Sequence, residues 1–277
     1  MIYSPHLLNP LQIACVPHEN DLRLSNLNMF ASPLEQFTLI TIFPIWFGKY
    51  YLSFTTSAFY MILSAAFFLF ACRLLTTSGG FLIPSRWQSI AEMYYEFLAN
   101  MVKEQVGDAG KKYFPFIFTV FTFVLLNNVI GLIPYTLTPT SHFVITMTLS
   151  CTIFIGVTII GVLKHKIHFL SFFLPPGAPI ALAPFLVVIE MISYFFRAIS
   201  LGVRLFANML SGHCLVKILA GFAWSMIQMG GSMVWAALPL LAVVVAVFFL
   251  EIGVGFLQSY VFTILSCIYL KDAIELH

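Results

Sequence analysis

Six ionisable side chains lie inside long apolar stretches of the last hundred residues. They are Glu190, Arg197, Arg204, His213, Lys217 and Glu251. A charge at the centre of a membrane helix costs about 2.5–3.5 kcal/mol on insertion scales, so such residues are retained mainly for function, for example in ion pathways and proton relays. Asn208 and Gln258 add uncharged polar groups to the same two stretches. The chemistry that these residue types indicate is the movement of a charge through an apolar medium.

Helical spacing groups these side chains. At about 100° per residue, Glu190, Arg197, Arg204 and Asn208 fall within about 40° of one another. Four polar groups on one stripe of an otherwise apolar helix indicate an interior or partner-facing surface. His213 and Lys217 lie on roughly the opposite face, while Glu251 and Gln258 share a face of the next helix.

Structural roles compete with functional ones for several of these residues. Glu190 and Arg197 can neutralise each other as a purely structural pair, and Lys217 can extend its ammonium group to the membrane interface. Arg204 is harder to explain, because its guanidinium does not deprotonate and Glu190 is nearer to Arg197. Asn127 and Asn128 fit either helix packing or a wet path, and the sequence leaves both open.

The composition requires a membrane. Hydrophobic residues make up 60% of the chain and charged residues only 9%, whereas soluble domains carry about 25% charge. The net charge of +2 gives no case for nucleic-acid binding. The five cysteines lie far apart without metal-ligand spacing, and we expect no cofactor. The chain has no phosphate-binding loop, so the sequence gives no sign of nucleotide chemistry in the chain itself.

The apolar pattern predicts an all-α polytopic membrane protein. Three ordinary spans are expected over Tyr51–Leu75, Phe114–Ile133 and His142–Leu163. Between the first two, Ser85–Val106 places Trp87, Ile90, Tyr94, Phe97 and Met101 on one face, which predicts an amphipathic helix at the membrane surface. We divide the chain into an N-terminal segment (1–50), a span region with the amphipathic helix (51–170) and a C-terminal hairpin of two long helices (171–277).

Two further apolar stretches, Phe185–Met229 and Val234–Leu270, are too long for upright helices. At ~1.5 Å per residue they would measure roughly 68 and 55 Å, against a hydrocarbon core of about 30 Å. Either each helix breaks in two, or both are steeply tilted. Only Gly202, Gly212 and Gly221 interrupt the first stretch, and glycine breaks a helix weakly, so we favour tilt.

Lys and Arg residues predict the orientation. Five of them lie between Arg73 and Lys112, two follow the third span, and Lys271 is close to the C-terminus. The connections over Pro134–Ser141 and Gly230–Met233 carry none. The positive-inside rule therefore places the amphipathic helix and the C-terminus on the matrix or cytoplasmic side, and the N-terminus on the other side.

The run Ser200–Met209 (SLGVRLFANM) closely resembles the signature of subunit a of F-type ATP synthases, especially plant and algal mitochondrial members. Further matches are Ser32–Phe37, Ile133–Tyr135, Gly212-His213 and Leu257–Thr263. The resemblance covers nearly the whole chain after residue 31.

The resemblance implies a non-catalytic stator subunit in the mitochondrial inner membrane, with its N-terminus in the intermembrane space and its C-terminus in the matrix. It implies a near-horizontal helix hairpin against a ring of c subunits, with peripheral-stalk subunits as further partners. Arg204 then matches a gate that faces the ring carboxylates, and His213 and Glu251 match a pair that bacterial members usually carry exchanged. Glu190, Arg197, Asn208 and Gln258 match other polar positions of the half-channels. Asp272 also has a counterpart, whose role stays open.

Three other classes of membrane protein fit less well. A secondary transporter would show inverted repeats, and we find no internal repeat. A haem-binding respiratory subunit would need paired histidines deep in spans, and only His213 is well inside one. An intramembrane hydrolase is disfavoured because the adjacent Ser211, Gly212 and His213 point in different directions on a helix. A metal site at His165 and His168 is also disfavoured, since both lie in a basic connection.

Overall fold

The described part of the chain is almost entirely helical. The computed structural model describes residues 37–77 (without 45, 48, 49 and 52), 86–133, 136–166, 183–231 and 233–274. Several expectations fall outside these residues: most of the N-terminal segment with the motif at 32–36, the dipeptide Pro134-Tyr135, and His168.

Six α-helices form within the described residues. They are α1 (Thr56–Thr77), α2 (Arg86–Val106), α3 (Phe114–Gly131), α4 (Phe143–His165), α5 (Ala183–Met229) and α6 (Met233–Ile274). Two 3-10 helices, Asp108–Tyr113 and Pro139–Ser141, precede α3 and α4. All of the α-helices except α2 are long and apolar enough to cross a membrane, which confirms the all-α polytopic prediction.

Four short strands precede α1, and they correct the expected start of the first span. These strands are β1 (Thr41–Phe43), β2 (Trp46–Phe47), β3 (Tyr50–Tyr51) and β4 (Phe54–Thr55). β1 pairs with β4, and β2 with β3, both antiparallel. The start at Tyr51 was wrong, because the aromatic and β-branched residues up to Thr55 pair as strands and the helix begins only at Thr56.

α5 and α6 are continuous helices of 47 and 42 residues, so neither long stretch breaks in two. α6 even continues through Pro239, which lies inside the helix. The chain turns between the two helices at Gly230 and Gly231, whose φ angles of 68° and 64° suit residues without a Cβ. The two helices pack against each other more extensively than any other pair, which confirms the hairpin.

The core lies where the other helices meet the C-terminal half of α6. Phe262, Leu270 and Ile274 of α6 form one buried cluster with apolar residues of α2, α3, α4 and α5. In contrast, the part of α6 from 233 to 250 buries only Ala237. The N-terminal half of α6 therefore presents apolar side chains outward.

α2 packs on the other helices from Tyr94 onwards. Leu98, Met101 and Val102 are buried, whereas Trp87 is 76% and Ile90 59% exposed. The exposure of Trp87 and Ile90 does not contradict the predicted apolar face, because a helix at the membrane surface turns that face towards lipid.

Candidate functional site

His213 on α5 and Glu251 on α6 lie in contact, as the sequence predicts for a pair on facing helices. His213 Nδ1 is 3.2 Å from Glu251 Oε1, and Glu251 is only 4% exposed. Glu251 Oε1 accepts no hydrogen bond from the described residues, so the contact has ion-pair distance without hydrogen-bond alignment. On the other side of the ring, His213 Nε2 lies 2.8 Å from Thr138 Oγ1.

Gly212 allows the two helices to approach at this pair. A Cβ built at Gly212 would lie 2.7 Å from Glu251 Oε1, closer than side-chain atoms normally come. Gly212 has no side chain, so it leaves space for the Glu251 carboxylate. The next residue, His213, supplies the imidazole that contacts this carboxylate.

Arg204 lies on an exposed side of α5, between two groups of polar contacts. Leu201 and Leu205 turn inward and are buried, while Val203 is 38% exposed and Arg204 is exposed. Within the described residues the Arg204 guanidinium makes no ion pair. A permanent cation on an apolar outer surface is costly in lipid, and a residue of this kind is retained mainly for function.

One turn after Arg204, Asn208 links the two long helices. Its Nδ2 donates a hydrogen bond of 2.8 Å to Oε1 of Gln258, which is 2% exposed. Gln258 Nε2 is buried and has no hydrogen-bond acceptor among the described residues. This amide thus retains a free donor close to the arginine.

Arg197 forms a second ionic cluster nearer the start of α5. Its Nη2 lies 3.4 Å from Glu190 Oε1, and its Nη1 lies 3.4 Å from Asp272 Oδ2. All three side chains are about one-third exposed, between 30% and 38%. The pair of Glu190 and Arg197 is therefore real, and Asp272 is its partner from the end of α6. The sequence carried a signal for this: Glu251, Gln258 and Asp272 are spaced by multiples of seven.

Asn127 and Asn128 are fully enclosed and hydrogen-bonded, so the structure supports the packing interpretation. Asn128 Nδ2 donates to Gly255 O and Ser259 Oγ of α6, each at 3.1 Å. Its Oδ1 accepts from Thr140 Oγ1 at 2.8 Å. Asn127 accepts from Ser64 of α1 at 3.3 Å. Asn128 therefore ties α6 to α3 and to the 3-10 helix before α4.

The structure thus brings the predicted site residues together in three contacting pairs, Glu190 with Arg197, Asn208 with Gln258, and His213 with Glu251, while Arg204 contacts none of them through an ion pair or hydrogen bond among the described residues. Sequence reasoning missed Thr138, which lies in the connection after α3 and has no charge or helical period to mark it. It also missed Asp272 as a partner of Arg197.

Comparisons with known proteins agree on one family. The family model described as "ATP synthase A chain" matches residues 55–271. An "ATP synthase subunit a" from Marchantia polymorpha is 53% identical over 252 residues, 90% of this chain and 100% of the relative. The protein of that name from Brassica napus is 52% identical over 252 residues, with 89% and 97% covered. An "ATP synthase subunit a-2" from Arabidopsis thaliana is 49% identical over 284 residues, with 99% and 81% covered.

Proposed function

The chain belongs to the ATP synthase A chain family, and from this premise we propose that it provides two half-channels and an arginine gate for protons moving to and from a ring of c subunits. The observation that carries this proposal is the position of Arg204. At ~1.5 Å per residue, this cation, which makes no ion pair with the described residues, lies about 10 Å along α5 from Arg197 and about 13 Å from His213. Arg204 therefore lies between two clusters of polar side chains, one at Arg197 and one at His213, that a continuous proton path would have to connect.

A split path explains why a fixed cation is needed at this place. A continuous proton path would dissipate the proton gradient across the membrane. Each charge that moves through 100 mV releases about 2.3 kcal/mol. In a split path the proton enters by one half-channel, travels on a carboxylate of the ring and leaves by the other. Arg204 favours the ionised form of each passing carboxylate, because a nearby positive charge stabilises the anion. The same charge repels a proton that would cross directly.

The two remaining polar groups fit the two half-channels. His213 and Glu251, with Asn208 and Gln258 towards the arginine, form the entry on the intermembrane-space side. Glu190, Arg197 and Asp272 form the exit, because Asp272 lies next to Lys271 at the end of α6, where the charge rule places the matrix. The chain itself then performs no ATP chemistry, which we assign to other subunits of the complex.

The proposed partners are the c-subunit ring on the side of Arg204, peripheral-stalk subunits, and the bilayer around the apolar surface. We propose no cofactor and no nucleic-acid partner. Substitution of Arg204 in the assembled complex, followed by measurement of proton-driven ATP synthesis, tests the proposal.

We propose a mitochondrial inner-membrane location with the N-terminus in the intermembrane space and the C-terminus in the matrix. Contacts between helix ends support the orientation. Lys164 Nζ and the His165 ring lie 3.2 and 3.0 Å from Ile274 O, so the C-terminal ends of α4 and α6 are on one side. The positive-inside rule also predicts that these two helix ends lie on the same side of the membrane.

Labelling of α2 tests this orientation. We expect cysteines at Gln88 and Glu92 to react with a membrane-impermeant thiol reagent from the matrix side, because both side chains lie on the surface of α2 beside its exposed Trp87. A cysteine at Leu98, which is 0% exposed on the same helix, is the matched control and should stay unlabelled. Labelling of the first two positions only from the opposite side would contradict the orientation.

A substitution at Gly212 tests the role of close approach. We expect Gly212→Ala to push Glu251 away from His213, at a cost of about 1–3 kcal/mol in stability, as is typical of overpacking. Proton-driven ATP synthesis should fall with it. The matched control is Gly221→Ala on the same helix, since a Cβ there meets nothing within 4 Å. Thermal unfolding of the purified complex and ATP synthesis in vesicles measure both effects; equal behaviour of the two variants would contradict the contact.

A further inference from the structure

Thr138 holds the nitrogen of His213 that faces away from Glu251. Thr138 is 3% exposed, and its Oγ1 lies 2.8 Å from His213 Nε2 and 3.2 Å from Gly131 O. A hydroxyl carries one proton, and a backbone carbonyl can only accept. When Thr138 donates to Gly131 O, its oxygen is left to accept a hydrogen bond from His213 Nε2–H.

We propose that Thr138 is a positioning residue of the entry half-channel, which keeps His213 protonated at Nε2 and so leaves Nδ1 for the proton exchanged with Glu251. This inference rests on the proposed function of His213 and Glu251 as a proton-transfer pair. Thr138 is a neutral side chain that contacts only His213 of the two.

The proton count shows why the choice of nitrogen matters. With the proton on Nε2, Nδ1 is the unprotonated ring nitrogen, and it lies 3.2 Å from Glu251 Oε1. A proton that arrives on Glu251 can pass to Nδ1, which leaves a carboxylate beside an imidazolium. The imidazolium then has a hydrogen-bond acceptor for Nε2 in Thr138 and an ion-pair partner beside Nδ1 in Glu251. With the ring proton on Nδ1 instead, no lone pair would face Glu251 and the proton could not be accepted there.

The turn before α4 keeps the Thr138 hydroxyl in place. Ser141 donates to Thr138 O from its Oγ at 2.7 Å and from its backbone N at 3.1 Å. Thr140 anchors the same turn to Asn128. The backbone of Gly131 also lies directly against Thr138, since a Cβ at Gly131 would overlap the Thr138 side chain. The turn and the Gly131 backbone thus both restrict the position of the Thr138 hydroxyl that contacts the imidazole.

The other groups around the ring do not select the Nε2 proton. Glu251 on α6 contacts only Nδ1. Lys217 is one turn further along α5, and a cation cannot accept a hydrogen bond. Phe37 contributes an apolar ring whose centroid is 6.4 Å from that of His213. In the described part of the chain, Thr138 is therefore the hydrogen-bond partner of Nε2.

The test compares Thr138→Val with Thr138→Ser and with Thr140→Val in the assembled complex. Proton-driven ATP synthesis in vesicles is followed at a fixed membrane potential while the pH on the entry side is varied. Without its acceptor the Nε2–H of the imidazolium is unpaired, so the proton-bound state of His213 is less stable. In Thr138→Val we therefore expect synthesis to decline with rising pH about one unit earlier than in the parent.

Thr138→Ser keeps the hydroxyl and should restore the parent profile. Thr140→Val removes a buried hydroxyl from the same turn without touching His213, so its pH profile should not shift. In a His213→Ala background, Thr138→Val should produce no further change, because a residue that acts through His213 has nothing left to position.

Two results would overturn the inference. One is an equal pH shift in Thr138→Val and Thr140→Val, which would indicate a general effect on the turn. The other is an unshifted profile in Thr138→Val although His213→Ala lowers synthesis. If His213→Ala itself leaves synthesis unchanged, then the proposed function of the pair fails, and this outcome is distinct from the other two.

Discussion

We expect Arg204→Ala to abolish proton-driven ATP synthesis while the complex still assembles. Arg204 is exposed and makes no ion pair within the described part of the chain, so its loss should not disturb the packing of α5. Without the cation, nothing favours the ionised carboxylate at the gate and nothing repels a proton between the half-channels. Synthesis and passive proton leak are measured in vesicles that carry the purified complex.

Arg204→Lys should restore only part of the activity. A lysine keeps the charge, but its compact, strongly hydrated ammonium lacks the forked and weakly hydrated guanidinium. The control is Lys271→Gln, which removes one positive charge from an exposed position near the end of α6. Near-normal synthesis in Arg204→Ala, with the control also normal, would rule out the gate.

The second large effect is expected at Glu251. Glu251→Leu should slow proton-driven synthesis by roughly tenfold or more without opening a leak, because proton transfer by a positioned side chain typically contributes 10²–10⁴-fold. The absence of a leak distinguishes this variant from the loss of Arg204, since Glu251 transfers protons within one half-channel and does not separate the two.

An exchange of the two residue types tests whether they act as a pair. We expect the double variant His213→Glu with Glu251→His to recover more proton flux than either single change, since it keeps one carboxylate and one imidazole in contact across α5 and α6. Each single change places two like groups together, two carboxylates or two imidazoles. A double variant no better than the worse single variant would show that the two residues do not act together, and the entry would then depend on other groups.

Much of the fold follows from the apolar pattern alone. Few charged residues force the helices into lipid, and backbone groups in lipid must be hydrogen-bonded within the helix. The bounds of α3, α4, α5 and α6 therefore lie within a few residues of the predicted ones. The start of α1 was misplaced, since an aromatic, β-branched stretch such as 41–55 suits a strand or a helix, and the pairing of β1 with β4 and of β2 with β3 decides between them.

The sequence by itself determined which side chains carry charge into the apolar region and that the carboxylate on the helix of Arg204, Glu190, is nearer to Arg197. A charge in lipid is costly wherever the helix lies, so this conclusion needs no tertiary contact. Only the tertiary structure decided which partners meet: Asp272 with Arg197, Asn128 with Gly255 and Ser259, and Thr138 with His213. These contacts join residues 75 or more positions apart, and the helical period relates residues only within one helix. How two helices pack against each other depends on side-chain volume, here on the space left at Gly212, which no pattern of polarity encodes.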